Sequence, residues 1–305
     1  MADKASRGIV LYGYGVAHLI KPSHSHSHFH DFASNACCGF LALNNSNSSP
    51  SSDGKDDKLI EELAQLLDAT DAIDSDGAQT GLDSKAPKQV LSITERFMGM
   101  KAAIVTSNSA VKHFGEKLGF TVTDFDKLRN GQSCDFAADE LLKLLGFQDG
   151  KITDKDHFDL VLVHIDAQTN LEYASGLVGR ILQVARPGSD VGSRLHLSLV
   201  MSYGDECKDD PNISLESLVD GNNDKLRGLF PRQSYSLKEV QSRENIRHHR
   251  PMLVAQWQDA VTRKDAVQEF SFDEFKKKSG NLAIAADRFI YEVAFKLWKA
   301  PKYGA

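Results

Sequence analysis

The stretch that most constrains this chain is Phe158 to Tyr173, FDLVLVHIDAQTNLEY. From Asp159 to Ile165 it is an apolar run with β-branched residues at alternate positions. Such a run suits a strand buried on both faces of a parallel sheet. His164 and Asp166 then fall at its C-terminal end, the edge at which open α/β sheets bind ligands. The rest of the chain reads as strands and helices arranged about this strand.

Gly8 to Tyr12 is predicted as the first strand, with Gly13 and Gly15 turning the backbone at its end. GYG lacks the third glycine of a dinucleotide fingerprint, so that ligand class has no support. Asp31 to Gly39 is predicted as a short helix, with Asp31 near its N-cap, and Phe40 to Leu43 as a second strand. Lys58 to Leu67 places Leu59, Leu63, Leu66 and Leu67 on one stripe, an amphipathic helix. Gln89 to Met98 is predicted helical. Ala102 to Thr106 and Phe120 to Asp124 read as strands, and a helix with a Ser/Asn cap lies between them. Helices are expected over Asp135 to Leu145 and Thr169 to Val184, the latter ended by Arg186-Pro-Gly. Leu195 to Tyr203 is a second central strand and Pro251 to Trp257 a late one. Ser271-Phe-Asp-Glu274 is a capping box, and Asp287 to Lys299 the terminal helix.

Strands alternate with helices from end to end. The expected fold is therefore α/β, a doubly wound, mostly parallel central sheet with helices on both faces. It is read as a single domain over residues 1–305. Three polar stretches, 44–57, 68–87 and 204–245, are expected as mobile loops or insertions. The last has some helical potential near Leu215 to Val219 and Leu237 to Val240.

Composition narrows the partners. The 305 residues carry a net charge of −6, which argues against a nucleic-acid or anionic-membrane surface. No apolar run approaches the ~20 residues that span a bilayer. The N-terminus MADKASRG lacks a signal-peptide pattern. Cys37, Cys38, Cys134 and Cys207 form neither a CxxC pair nor a disulfide framework, which fits packing residues in a reducing, cytoplasmic setting. No Gly-x-Ser-x-Gly elbow and no P-loop occurs. The acidic runs at Asp53 to Asp57 and Asp68 to Asp83 lack the glycine and glutamate of an EF-hand and read as solvated loops. Arg180, Arg186 and Arg194 read as solvated charges.

His24, His26, His28 and His30 alternate with other residues. On an extended segment they would share one face and could bind a metal. The plainer reading is a polar loop.

The order of segments resembles the alkaline phosphatase superfamily, and within it the archaeal-type cofactor-independent phosphoglycerate mutases. Asp31 to Leu41 is similar to the family's early helix and the strand after it. Ala102 to Phe125 is similar to the segment that enters the sheet after the cap domain. Phe158 to Ala167 resembles the family's strand ending in His-Ile/Val-x-Ala. Arg247-His-His-Arg-Pro-Met-Leu-Val resembles its late His before a Pro-Val-Pro strand, and Phe270 to Ile284 its ending.

The resemblance implies two-metal phosphoryl transfer, in which paired divalent ions activate a Ser or Thr and neutralise phosphate. Here the departures matter. The family's first-strand Asp falls near Tyr12. Its Asp and His after the His-x-x-Ala strand fall around Thr169 to Tyr173, which offers Asn170 and Glu172. The nucleophile region offers Ser46, Ser48 and Ser49, and the mutase cap is missing. The ligands that remain are His164, Asp166, Asp205, His248 and His249, for manganese, zinc or magnesium. The competing reading makes His164 a satisfied histidine under the sheet edge and the others solvated loop residues.

Two functions follow. One is a degenerate member of the superfamily that binds a protein partner or a small anionic ligand. The other is an active metal-dependent phosphoryl- or sulfuryl-ester hydrolase or transferase with a reorganised site. A scaffold whose long loops carry partner sites is a third possibility.

Overall fold

The structure is a computed structural model. It describes residues 5–45, 54–73, 90–129, 131–153, 157–166, 171–204, 213–214, 237–238, 241–242, 246–259, 263–278 and 283–301. Among them, eight strands form one sheet. In chain order these are β1 (Arg7–Gly13), β2 (Cys37–Asn44), β3 (Ala102–Thr106), β4 (Thr121–Asp124), β5 (Leu160–Ile165), β6 (Leu195–Met201), β7 (Ile246–Gln258) and β8 (Ala283–Ala285). Across the sheet they run β8-β2-β7-β6-β1-β5-β3-β4. All neighbouring pairs are parallel except those that β7 makes with β2 and β6. The fold is thus the doubly wound, mostly parallel α/β sheet expected from the alternation of segments.

β5 lies between β1 and β3, and all six of its residues are buried. That is the burial a continuous apolar run demands. Period-two alternation then sorts the side chains onto two faces. Leu11, Val161, Val163 and Leu199 pack under α1 (Ser27–Ser34), α6 (Cys134–Leu144), α7 (Leu171–Val184) and α8 (Phe272–Lys278). Val10, Leu162, Ile104 and Val200 pack under α2 (Lys55–Leu66), α3 (Ile93–Arg96), α4 (Ser109–Lys117) and α9 (Phe289–Lys296). The short α5 (Phe125–Arg129) follows β4 at the edge. Among the described residues, no helix is long and apolar enough to cross a membrane.

Several elements depart from expectation for definable reasons. The early helix is Ser27–Ser34, and Cys37-Cys38-Gly39 already belongs to β2. Gly39 pairs with Val254 in the ladder and does not stop a helix. The alternating histidines are neither extended nor in an open loop. His24–His26 is a 3-10 turn leading into α1. His30 Nδ1 accepts from Phe270 N at 2.9 Å, while its Nε2 lies 3.0 Å from the Lys21 carbonyl. His28 lies against Gly179, where an added Cβ would come within 2.6 Å of the ring. The run therefore fastens α1 onto α7. Gln89–Met98 contracts to α3, held by a reciprocal Ser92/Glu95 capping box. At Ser271 only half of the expected box forms. Its hydroxyl caps Glu274 N at 3.3 Å, while the Glu274 carboxylate accepts from Gln268 N instead.

The late strand starts at Ile246, earlier than expected, and is antiparallel. β6 ends at one edge of the sheet, and the chain returns to that same edge to begin β7, so β7 must run back. Leu237–Lys238 pairs with Gln241–Ser242 as a β ladder, so the helical potential there is not realised. Leu215 to Val219 lies outside the described residues, as does most of 204–245. So do 46–53 with Ser46, Ser48 and Ser49, 74–89, and Thr169 and Asn170. The terminal helix is a 3-10 turn, Ala286–Arg288, followed by α9.

Candidate functional site at the sheet edge

β1, β3, β5 and β6 all end at one edge, so their last residues and following loops converge there. Tyr12 and His164 are register partners on adjacent strands. Residues opposite each other in parallel strands point to the same face, and their rings lie 6.0 Å apart between centroids. Both point into the core beneath α2.

His164 is 2% exposed. Its Nδ1 is 2.9 Å from Thr106 Oγ1, at the end of β3. Its Nε2 has no hydrogen-bond partner among the described residues. Burial drives its pKa down to about 4, with Asp166 and Asp56 pulling the other way. The ring is therefore neutral at pH 7. Thr106 Oγ1 also accepts from Asn108 N at 3.1 Å. Asn108 caps α4 by accepting from Val111 N, and its Nδ2 donates to Asp56 Oδ1 at 3.0 Å. One chain of polar contacts thus links β5, β3, the start of α4 and the first turn of α2.

Tyr12 is completely buried. Burial raises its phenol well above the usual tyrosine range, and Glu62 and Tyr14 reinforce the shift. Its hydroxyl has no well-formed hydrogen bond among the described residues, although nearby Ser202 eases the shift. Above it, the loops after β1 and β6 lock together. Ser202 N donates to the Gly13 carbonyl, and Gly15 N donates to Ser202 Oγ. Gly204 has φ +55°, and a Cβ there would sit 3.0 Å from Gly15 Cα. Only glycine fits this approach without strain.

On the other side, Arg247 at the start of β7 donates to Glu62 Oε1 of α2 at 3.2 Å, and to the Arg250 carbonyl. The β2–β7 register shifts between Arg247 and Met252, and Arg250 sits at φ +50°. Such bulges re-aim side chains at strand ends and recur beside active sites.

The five candidate ligands are placed as follows. His164 is inside the site. Asp166 follows β5 directly, is part-buried and is coupled to His164. His249 is exposed on the β7 bulge and bridges Ser214 through its backbone. His248 lies in β7, and its side chain is outside the described set, as is all of Asp205. Among the described residues, no group of three or more His, Cys, Asp or Glu side chains could hold a metal ion. The described donors thus do not fit a two-ion centre, which needs several oxygen or imidazole ligands around each ion.

Sequence reasoning missed Thr106, Asp56, Glu62 and Arg247 as members of this edge. Asp56 looked like part of a solvated acidic run, and Thr106 like the last residue of a strand. The one available signal was the position of Thr106 at a strand C-terminus, the same signal that singled out His164.

Elsewhere, an open groove of about 520 Å3 lies between α6, α7 and the Phe147–Ile152 hairpin. Its Arg180 is held by Asp139 through two contacts of 3.1 Å, and Arg186 donates to the Gln183 carbonyl. These arginines are engaged with their own surroundings and lie at the far end of α7 from His164.

No family model and no curated protein sequence matches the chain. The solved structures similar to it include the following two. One is a cofactor-independent phosphoglycerate mutase from Thermoplasma acidophilum, 15% identical, with a TM-score of 0.35, covering 67% of this chain and 38% of that one. The other is a protein in the alkaline phosphatase superfamily from Vibrio parahaemolyticus, 9% identical, with a TM-score of 0.41, covering 86% of this chain and 62% of that one. The chain thus spans less than two thirds of either.

Proposed function

We propose that this protein is a degenerate scaffold of the alkaline phosphatase kind that binds a protein partner or a small anionic ligand and does not turn over phosphate esters. One observation carries the reading. Where the resemblance asks for a carboxylate, Tyr12 offers a buried neutral phenol whose ring lies tilted beside a neutral His164. Neither ring brings the negative charge that a divalent pair requires. Support for an anionic ligand comes from the β7 bulge, which brings Arg250 and His249 to the same edge. A reducing, cytoplasmic setting is compatible with the unbonded Cys37, Cys38 and Cys134.

A second reading keeps a metal-dependent ester hydrolase or transferase built on His164, Asp166, Asp205, His248 and His249. The unpartnered Nε2 of His164 beside Asp166 favours it. The two readings separate in one experiment. The purified, untagged protein is exposed to manganese, zinc and magnesium, freed of unbound ions, and its metal content measured alongside His164→Ala. Phosphate and sulfate esters are assayed in parallel. The scaffold reading expects no retained metal and no turnover in either protein. Near-stoichiometric metal, with robust ester hydrolysis abolished by His164→Ala, sinks it.

A further inference from the structure

A second histidine in the sheet is buried for a different purpose. β6 is buried at all seven positions, and His196 and Ser198 are both 0% exposed on the face that α9 covers. Ser198 Oγ lies 3.0 Å from His196 Nε2. Gln256 of β7, the register partner of Ser198, donates to that same oxygen at 3.4 Å. Lys296 of α9 donates to Gln256 Oε1 at 3.2 Å. Cys37 of β2 is the register partner of Gln256 on its other side. A polar row therefore crosses three adjacent strands inside an otherwise apolar core. It ends inward at His196 Nδ1, which has no partner among the described residues.

The row is arranged for a neutral imidazole. Gln256 donates to Ser198, so the Ser198 hydroxyl is free to donate its own proton to His196 Nε2. A protonated ring would reverse that bond and leave the serine proton without an acceptor. It would also place a second cation close to Lys296. The groups around it offer no compensation. Gly8 of β1 has no side chain, and Gln258 of β7 is neutral. The charged groups brought by α9 are Lys296 and Glu292, and the ionisable one from β2 is Cys37.

α9 meets the row through Lys296, buries Phe289, Ile290, Val293 and Ala294 on the same side of the sheet, and is joined to β8 by a single 3-10 turn. We infer that α9 is an acid-released latch: proton uptake at His196 is coupled to lifting of the C-terminal helix from the sheet while the other strands stay paired. Acid adds a cation beneath Lys296. Burial pushes His196 downward, so its proton is taken up as the ring is freed. Glu292, the carboxylate four residues before Lys296 on the same helix, is pushed upward by burial, so its own proton uptake favours the closed helix and works against release.

Hydrogen exchange of the intact protein tests this, with rates corrected for intrinsic pH dependence. One proton bound only by the open state makes opening up to about thirtyfold more frequent at about pH 5 than at about pH 7.5. That increase is expected in the amides of Ala286–Leu297, with the amides of β5 unchanged. His196→Leu should abolish it. Should that variant fail to fold, Lys296→Met and Glu292→Gln carry the test. Lys296→Met should weaken the acid response, and Glu292→Gln, which removes the opposing proton uptake of the closed helix, should lower opening at neutral pH and steepen the response. Equal opening at both pH values overturns the inference. So does β5 opening by the same factor as α9, or an unaltered response in both helix variants.

Discussion

His164 and His196 are the same residue in nearly the same circumstance, and they behave differently. Each lies in a fully buried strand, faces the α2/α9 side of the sheet, rests one ring nitrogen on a hydroxyl and leaves the other without a partner among the described residues. They differ in what lies beyond the ring. His164 lies next to the end of its strand, at the C-terminal edge of the sheet, where Asp166 and Asp56 partly offset the cost of burial. His196 sits near the start of its strand, where Lys296 adds to that cost. Position along the strand thus decides whether a buried imidazole meets anions or a cation.

The largest expected effect comes from making both charges permanent. His196→Lys should leave an unpaired buried cation and cost about 3–5 kcal/mol, enough to unfold many domains. His164→Lys, with Asp166 and Asp56 at hand, should cost clearly less. Thermal melts of the two proteins decide it, and equal losses would break the comparison.

Next in size is the dependence on pH. A base whose folded pKa is depressed stabilises the fold above its unfolded pKa, and the gain is lost as pH falls toward the folded value. For His164 that window runs from about 6.5 down to about 4 and is worth about 3 kcal/mol. Urea midpoints should fall across this range, and His164→Leu should flatten the slope.

Removing a hydroxyl should cost less. Thr106→Val strips His164 Nδ1 and Asn108 N of their shared partner and should destabilise by about 1–3 kcal/mol. It should leave hydrogen exchange in α9 unmoved, and a change there would mean that the two histidines are coupled. The smallest effect is expected from Asn108→Ala, which loses the α4 cap and the tie to Asp56. Its cost is about 1 kcal/mol in chemical denaturation.

Much of the architecture was legible because it rests on local periodicity. The run Asp159 to Ile165 announced a buried strand, and Leu59, Leu63 and Leu66 announced the inner stripe of α2. Boundaries and directions were less legible. Cys37 to Gly39 looked like a helix end, yet cross-strand pairing with β7 made it strand. His24 to His30 looked like a metal-binding or solvated run, and the approach of α1 to Gly179 made it a packing surface.

What the sequence determined by itself is the alternation of strand and helix, the burial of β5, and the placing of His164 and Asp166 at a strand end. Each follows from spacing within a few residues. Only the tertiary structure decided that Tyr12 lies beside His164, that Thr106 and Asp56 reach the same edge, and that Lys296 closes a row leading to His196. Those partners are separated by tens to hundreds of residues in the chain. Strand order and register bring them together, and neither is written in any local pattern.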